Sequence, residues 1–131
     1  TFFWGILDSD RNTFEYINAG HNPPLLLNND AVIQLTEGGF MIGILDTGIN
    51  YEVGKIKLET DDIIIFYTDG VTEAMNNTGD EFGENKLIET LKENKNKSSN
   101  EILEKIKDSI MEFTKGTAQY DDITLIVLKK V

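Results

Sequence analysis

The 131-residue chain has no cysteine, one histidine (His21), two prolines (Pro23 and Pro24) and one tryptophan. Without cysteine there are no disulfides, thiol nucleophiles, iron–sulfur clusters or cysteine-based zinc sites. Basic residues are also scarce, 12 against 23 acidic ones, for a formal charge of -11. That balance excludes a surface that replaces counterions on nucleic acid, and it disfavours contact with anionic membranes. The apolar runs are far too short to span a bilayer, and there is no signal-peptide pattern, so a cytoplasmic protein is expected. What is present is ordinary for a soluble globular domain: 40% hydrophobic and 27% charged residues. A single domain of this length buries roughly two-thirds of its unfolded surface. There is no internal repeat, low-complexity segment or linker, so residues 1–131 read as one domain.

The first half reads as strands. Residues 1–7 are aromatic and branched, residues 8–12 form a polar turn, and residues 13–18 alternate, which together predict a hairpin. Phe2, Phe3, Trp4 and Phe66 are expected in the core. The apolar residues at the very start read as a buried strand, so the chain is expected to be the C-terminal part of something longer. After the irregular Gly20-His21-Asn22-Pro23-Pro24, residues 25–27 and 31–35 predict a second hairpin around Asn28-Asn29-Asp30. Residues 37–50 read as a glycine-rich loop with apolar anchors Phe40, Met41, Ile42, Ile44 and Leu45, and residues 51–58 as a strand. Ile63–Tyr67 is apolar on both faces and is therefore expected at the centre of a sheet.

Helices follow. Residues 83–94 carry Leu87, Ile88 and Leu91 at helical spacing. Ser98-Ser99-Asn100-Glu101 is a capping box opening a second helix with the stripe Ile102, Leu103, Ile106, Ile110 and Phe113, which Gly116 is expected to end. Residues 123–127, preceded by Tyr120-Asp121-Asp122, predict a last strand. Strands, then helices, then one strand, with tight hairpins, indicate an α+β fold of antiparallel sheet with helices packed on it.

Two acidic positions stand out. Asp69 directly follows the central strand, in Tyr67-Thr68-Asp69-Gly70-Val71-Thr72-Glu73-Ala74, and Asp121 and Asp122 precede the last one. If those strands are antiparallel neighbours, the carboxylates meet at one sheet edge, with Gly70 leaving room for a ligand. Converging carboxylate oxygens without His or Cys favour Mg²⁺ or Mn²⁺, which polarise a phosphoryl oxygen and acidify a bound water. The same residues also read as turn and edge-protecting positions, since Asp-Gly is a frequent turn dipeptide. Asp-Gly-Val after a strand also invites comparison with haloacid-dehalogenase-type phosphatases. Their nucleophile position is Tyr67 here, which rules that chemistry out. No G-x-S-x-G elbow or glycine-rich phosphate loop occurs. His21 is either a turn hydrogen-bonder or a proton donor in a cleft.

Taken in order, several segments resemble the metal-dependent Ser/Thr phosphatases of the PPM, or protein phosphatase 2C, type, in their bacterial SpoIIE/RsbU-like branch. They are residues 1–8, the Asn18-Ala19-Gly20-His21-Asn22-Pro23-Pro24 run, Gly43-Ile44, residues 62–74, Phe82-Gly83-Glu84 and Asp121-Asp122-Ile123-Thr124-Leu125. The resemblance spans essentially the whole chain. It implies an antiparallel β-sandwich flanked by helices, with a site for two Mn²⁺ or Mg²⁺ ions between the sheets. It further implies that water bridging the ions attacks a phosphoserine or phosphothreonine directly. Asp69 and Asp121 match metal ligands of the family. Asp122 matches a position where relatives often carry Asn. His21 stands where some relatives have an Asp linked to a third metal. In this branch the usual substrate is a phosphorylated anti-anti-sigma factor, under control of an upstream sensory domain.

The first motif of the family, D-x-S-G-H/K-G, supplies the Asp that bridges both metals and is not found in this sequence. The chain is therefore expected to be the C-terminal portion of a SpoIIE/RsbU-like domain, inactive alone, with uncovered apolar surface that drives self-association. A catalytically silent partner-binding module of the same fold is the alternative. A plain acidic α+β domain with turn aspartates is the third.

Overall fold

The computed structural model describes residues 1–44, 50–119 and 121–131. Leu45 and Tyr120 lie outside that set. Strand β1 (Phe2–Asp8) turns through Asn12, at positive φ, into β2 (Thr13–Ala19), with antiparallel register from Phe2↔Ala19 to Asp8↔Thr13. Strands β3 (Leu25–Asn28) and β4 (Ala31–Gln34) form the second hairpin. Its two loop residues, Asn29 and Asp30, both have positive φ, the conformation that matches the twist of a tight hairpin. Next come the short β5 (Gly38–Gly39), β6 (Gly54–Lys57) and β7 (Ile63–Tyr67). One helical turn, α1 (Asp69–Thr72), precedes α2 (Gly83–Asn94), α3 (Ser99–Phe113) and the final β8 (Leu125–Lys129).

The strands make two four-stranded sheets. In the first, β2 pairs β1 on one side and both β6 and β5 on the other; in the second the order is β4-β3-β7-β8. The expected centre is thus observed, with β7 between β3 and β8. Its period-two alternation serves both faces. Ile63, Ile65 and Tyr67 pack with Leu25, Leu27 and the helical stripe Leu87, Leu91, Ile102, Ile106 and Ile110. Ile64 and Phe66 face the first sheet, packing with Leu26, Phe14 and Tyr16. The aromatic rings of Phe3, Phe14, Tyr16 and Phe66 stack or meet edge-on there, with centroids 5.5–6.4 Å apart. The layers run helices, second sheet, first sheet.

The capping box forms as expected, with Ser98 Oγ accepting from Glu101 N and Glu101 accepting from Ser98 N. Serine and glutamate at this spacing satisfy two orphan donors reciprocally. Tyr67 joins the second sheet to the start of α2 by donating to Glu84 Oε2 at 3.0 Å. Burial, and then the Glu84 carboxylate, push the Tyr67 phenol well above its ordinary range.

Five expectations need correction. Phe2 and Trp4 are half exposed, not core, because they sit on the outer face of β1, which nothing among the described residues covers. Residues 37–50 are not a plain loop, since Gly38–Gly39 pairs in parallel with Asn18 and Ala19. A Cβ on Gly38 would fall 1.8 Å from the Asn18 carbonyl oxygen, so only glycine permits this pairing. Phe40, Met41, Ile42 and Ile44 are exposed and anchor little. The strand expected at 51–58 shortens to Gly54–Lys57, with Val53 exposed, and the one expected at 123–127 lies two residues later.

Candidate metal centre

The pairing of β7 with β8 builds the site. The two strands are antiparallel, and their ladder closes at Tyr67↔Leu125, so the segments carrying Asp69 and Asp121-Asp122 leave the sheet at the same end. They touch. A Cβ on Gly70 would lie 2.5 Å from the Asp122 carbonyl oxygen and 3.5 Å from the Asp121 carbonyl carbon. The space that a side chain at Gly70 would fill is therefore taken by the neighbouring backbone, not by a ligand as the sequence suggested.

Each of the two main carboxylates has one oxygen engaged locally. Asp69 Oδ1 accepts from Gly70 N at 3.1 Å, and Asp121 Oδ1 accepts from Asp122 N at 2.7 Å. Gln119 Nε2 donates to the Asp121 carbonyl at 2.8 Å. All three aspartates are solvent-facing. Seven ion pairs occur among the described residues, and none includes Asp69, Asp121 or Asp122. Like charges gathered without a cationic side chain attract a cation. Carboxylate and carbonyl oxygens without sulfur or imidazole fit the hard ions Mg²⁺ and Mn²⁺. The donor set thus suits the metal that the resemblance implies, but it is incomplete. Among the described residues, no group of three or more His, Cys, Asp or Glu side chains converges closely enough to hold an ion.

His21 lies elsewhere on the rim. Its backbone N donates to Asn18 Oδ1 at 2.8 Å, and buried Asn18 donates back to the His21 carbonyl at 2.9 Å. Its Nδ1 is 3.2 Å from Thr1 Oγ1. It lines a crevice of about 350 Å³ between the sheets with Phe3, Phe66, Thr68, Thr124 and Ile126. The one site residue that sequence reasoning passed over is Thr68. Its hydroxyl donates to the Asp122 carbonyl at 3.0 Å and accepts from Thr124 N at 3.0 Å. Nothing in the composition marks it; only its place beside Asp69 could have drawn notice.

The chain has the fold of PP2C phosphatase domains, here as a two-sheet stack with helices on the second sheet. The SiaA-PP2C domain of Pseudomonas aeruginosa has this fold; it matches at 20% identity and a TM-score of 0.82, over 98% of this chain and 50% of that one. Within this fold the chain belongs to the SpoIIE family, whose model, "Stage II sporulation protein E (SpoIIE)", matches residues 1–131. The chain is 35% identical over 129 residues to Protein IcfG of Synechocystis sp., covering 98% of this chain and 20% of that protein. It is 31% identical over 133 residues to the phosphoserine phosphatase RsbU of Bacillus subtilis, covering 99% of this chain and 38% of RsbU. It therefore spans well under half the length of these relatives.

Proposed function

We propose that this chain is the C-terminal portion of a metal-dependent protein phosphatase domain that removes phosphate from phosphoserine or phosphothreonine. The observation that carries the reading is the contact between the Asp69 and Asp121 segments, which sets two carboxylates without cationic partners at one sheet end. Asp69 and Asp121 would hold Mn²⁺ or Mg²⁺, with Asp122 as a weaker candidate. A bound ion of this kind supplies Lewis-acid polarisation of a phosphoryl oxygen and acidifies water. The protein's own part is to bring the Asp69 and Asp121 segments together where they leave β7 and β8, with one oxygen of each carboxylate held by a neighbouring backbone N–H. His21, held by Asn18, stands on the crevice wall as a proton donor of lower rank.

Two carboxylates are half of a two-ion site, so the remaining ligands come from chain beyond this segment. The coverage of 20% and 38% of the two curated relatives agrees with this. Alone, the segment is inactive, and the uncovered face of β1 drives it to self-associate. The resemblance to the SpoIIE/RsbU-like branch implies, as substrate, a phosphorylated regulator of the anti-anti-sigma kind in the cytoplasm, under an upstream sensory domain; the name of RsbU, a phosphoserine phosphatase, supports the phosphoserine. Among the described residues no helix is long and apolar enough to cross a membrane.

The test is hydrolysis of an aryl phosphate by the full-length protein with and without Mn²⁺. Asp69→Asn is expected to lower Mn²⁺-dependent turnover by at least about a hundredfold, the loss of a few kcal/mol of Lewis-acid stabilisation. Turnover that survives the substitution removes Asp69 from the site. The incomplete convergence of ligands favours one other reading, a silent partner-binding module. An intact D-x-S-G-H/K-G motif in the full-length protein argues against it.

A further inference from the structure

We propose that Thr68 is the positioning residue that sets the Asp121-Asp122 segment against Asp69. The inference rests on the metal reading above and concerns how the two carboxylates are held at one separation. Thr68 is the N-cap of α1, with extended φ -90° and ψ 162°. A threonine at an N-cap ordinarily turns its oxygen onto the N–H groups of its own helix. Here it makes no such cap bond. The hydroxyl points across to the neighbouring segment, where its one proton goes to the Asp122 carbonyl and a lone pair takes the Thr124 N–H. Both capacities of the group are used, and both on the segment that carries Asp121 and Asp122.

The backbone of Thr68 adds a third tie, its N–H donating to the Thr124 carbonyl at 3.2 Å. That bond extends the β7–β8 pairing past the Tyr67↔Leu125 end of the ladder. Further out, the acidic segment can no longer pair backbone to backbone, and the Thr68 side chain takes over. The Asp122 carbonyl that it holds is the same atom that sits 2.5 Å from where a Gly70 Cβ would be. One carbonyl is therefore gripped by a hydroxyl and seated in the gap left by glycine. The result assigns Asp122 two separable parts: its carbonyl locates the segment, while its carboxylate stays exposed. Groups that orient metal ligands without touching the metal change affinity strongly when removed.

The test uses the full-length protein and Mn²⁺ itself, followed by titration calorimetry. Thr68→Val keeps the shape and β-branching and removes both hydroxyl bonds; Thr68→Ser keeps the bonds and removes the methyl. Valine is expected to weaken Mn²⁺ binding by about 10- to 100-fold, and serine to retain the wild-type affinity. The metal-free melting temperatures of the two variants are compared in parallel. A valine variant that binds Mn²⁺ like the wild type overturns the proposal, as does equal weakening in both variants. Wild-type protein that binds no Mn²⁺ overturns the metal reading itself, and Thr68's role with it.

Discussion

The two sheets are built from the same kinds of residue and end in different circumstances. In β7 every residue except Phe66 is at most 3% exposed, because helices cover one face and the other sheet covers the second. In β1, Phe2, Trp4 and Ile6 are 50%, 50% and 51% exposed. Both strands are rich in aromatic and β-branched residues, the types that fit a pleated surface. Such residues make a strand; they do not say what lies on it. The helices sit on the second sheet because α2 and α3 present their stripes to Leu25, Leu27, Ile63 and Ile65. The candidate metal centre stands at the end of that sheet, where the enclosed β7 pairs with the edge strand β8.

If the enclosed sheet is the stable one, its core carries the largest effects. Ile106→Ala, at a fully buried position between α3 and the sheet, is expected to cost about 2–5 kcal/mol in urea unfolding. A loss below about 1 kcal/mol, the size of a minor packing change, would break the contrast. A smaller effect is expected where α3 begins. Ser98→Ala removes one half of the capping box and should cost about 1 kcal/mol.

That difference is expected to depend on pH. The Ser98 hydroxyl, then the Ser98 backbone N–H, hold the Glu101 carboxyl below its ordinary 4.5. A lowered carboxyl stabilises the fold above its unfolded value and stops doing so as pH falls through the folded one. Wild type and Ser98→Ala should therefore converge in stability as the solution is acidified, as followed by circular dichroism. The smallest effect belongs to the open sheet. Trp4→Ser in the 131-residue chain should change stability by no more than about 0.5 kcal/mol. Light scattering should show less self-association in that variant. A large stability loss would mean that the outer face of β1 is already covered.

Legibility followed the range of the interactions. The Ser98 box spans three residues and reads directly from its letters. So does the hairpin at Asn29 and Asp30, whose positive φ angles suit those side chains. Ile63–Tyr67 was recognisable as central because five consecutive apolar residues need cover on both faces. The parallel contact of Gly38–Gly39 with β2 was not, because it joins distant residues through backbone alone. The last strand lies two residues beyond its sequence pattern for a related reason. Ile123 looked like its start but packs towards the helices outside the ladder. Lys129 looked like a polar end, yet it pairs with Ile63, and its Nζ reaches the carbonyls of Lys95 and Lys97 at 2.7 and 3.0 Å.

At the candidate site the division is similar. Asp69, Asp121 and Asp122 were visible as acidic residues flanking strand patterns, and their meeting followed once those strands were taken as antiparallel neighbours. Element types, the helix start at Ser98, the acidic character and the candidate carboxylates are local properties, set by side-chain shape, charge and spacing along the chain. Which sheet face is covered, the use of Gly70 to admit a carbonyl and the turning of the Thr68 hydroxyl away from its own helix came from the fold. The first depends on apolar packing of helices on a sheet, and the other two on segments more than 50 residues apart being brought together, as Thr68 and Asp122 are. Chain neighbours carry no record of such a contact, because packing across layers and strand pairing create it.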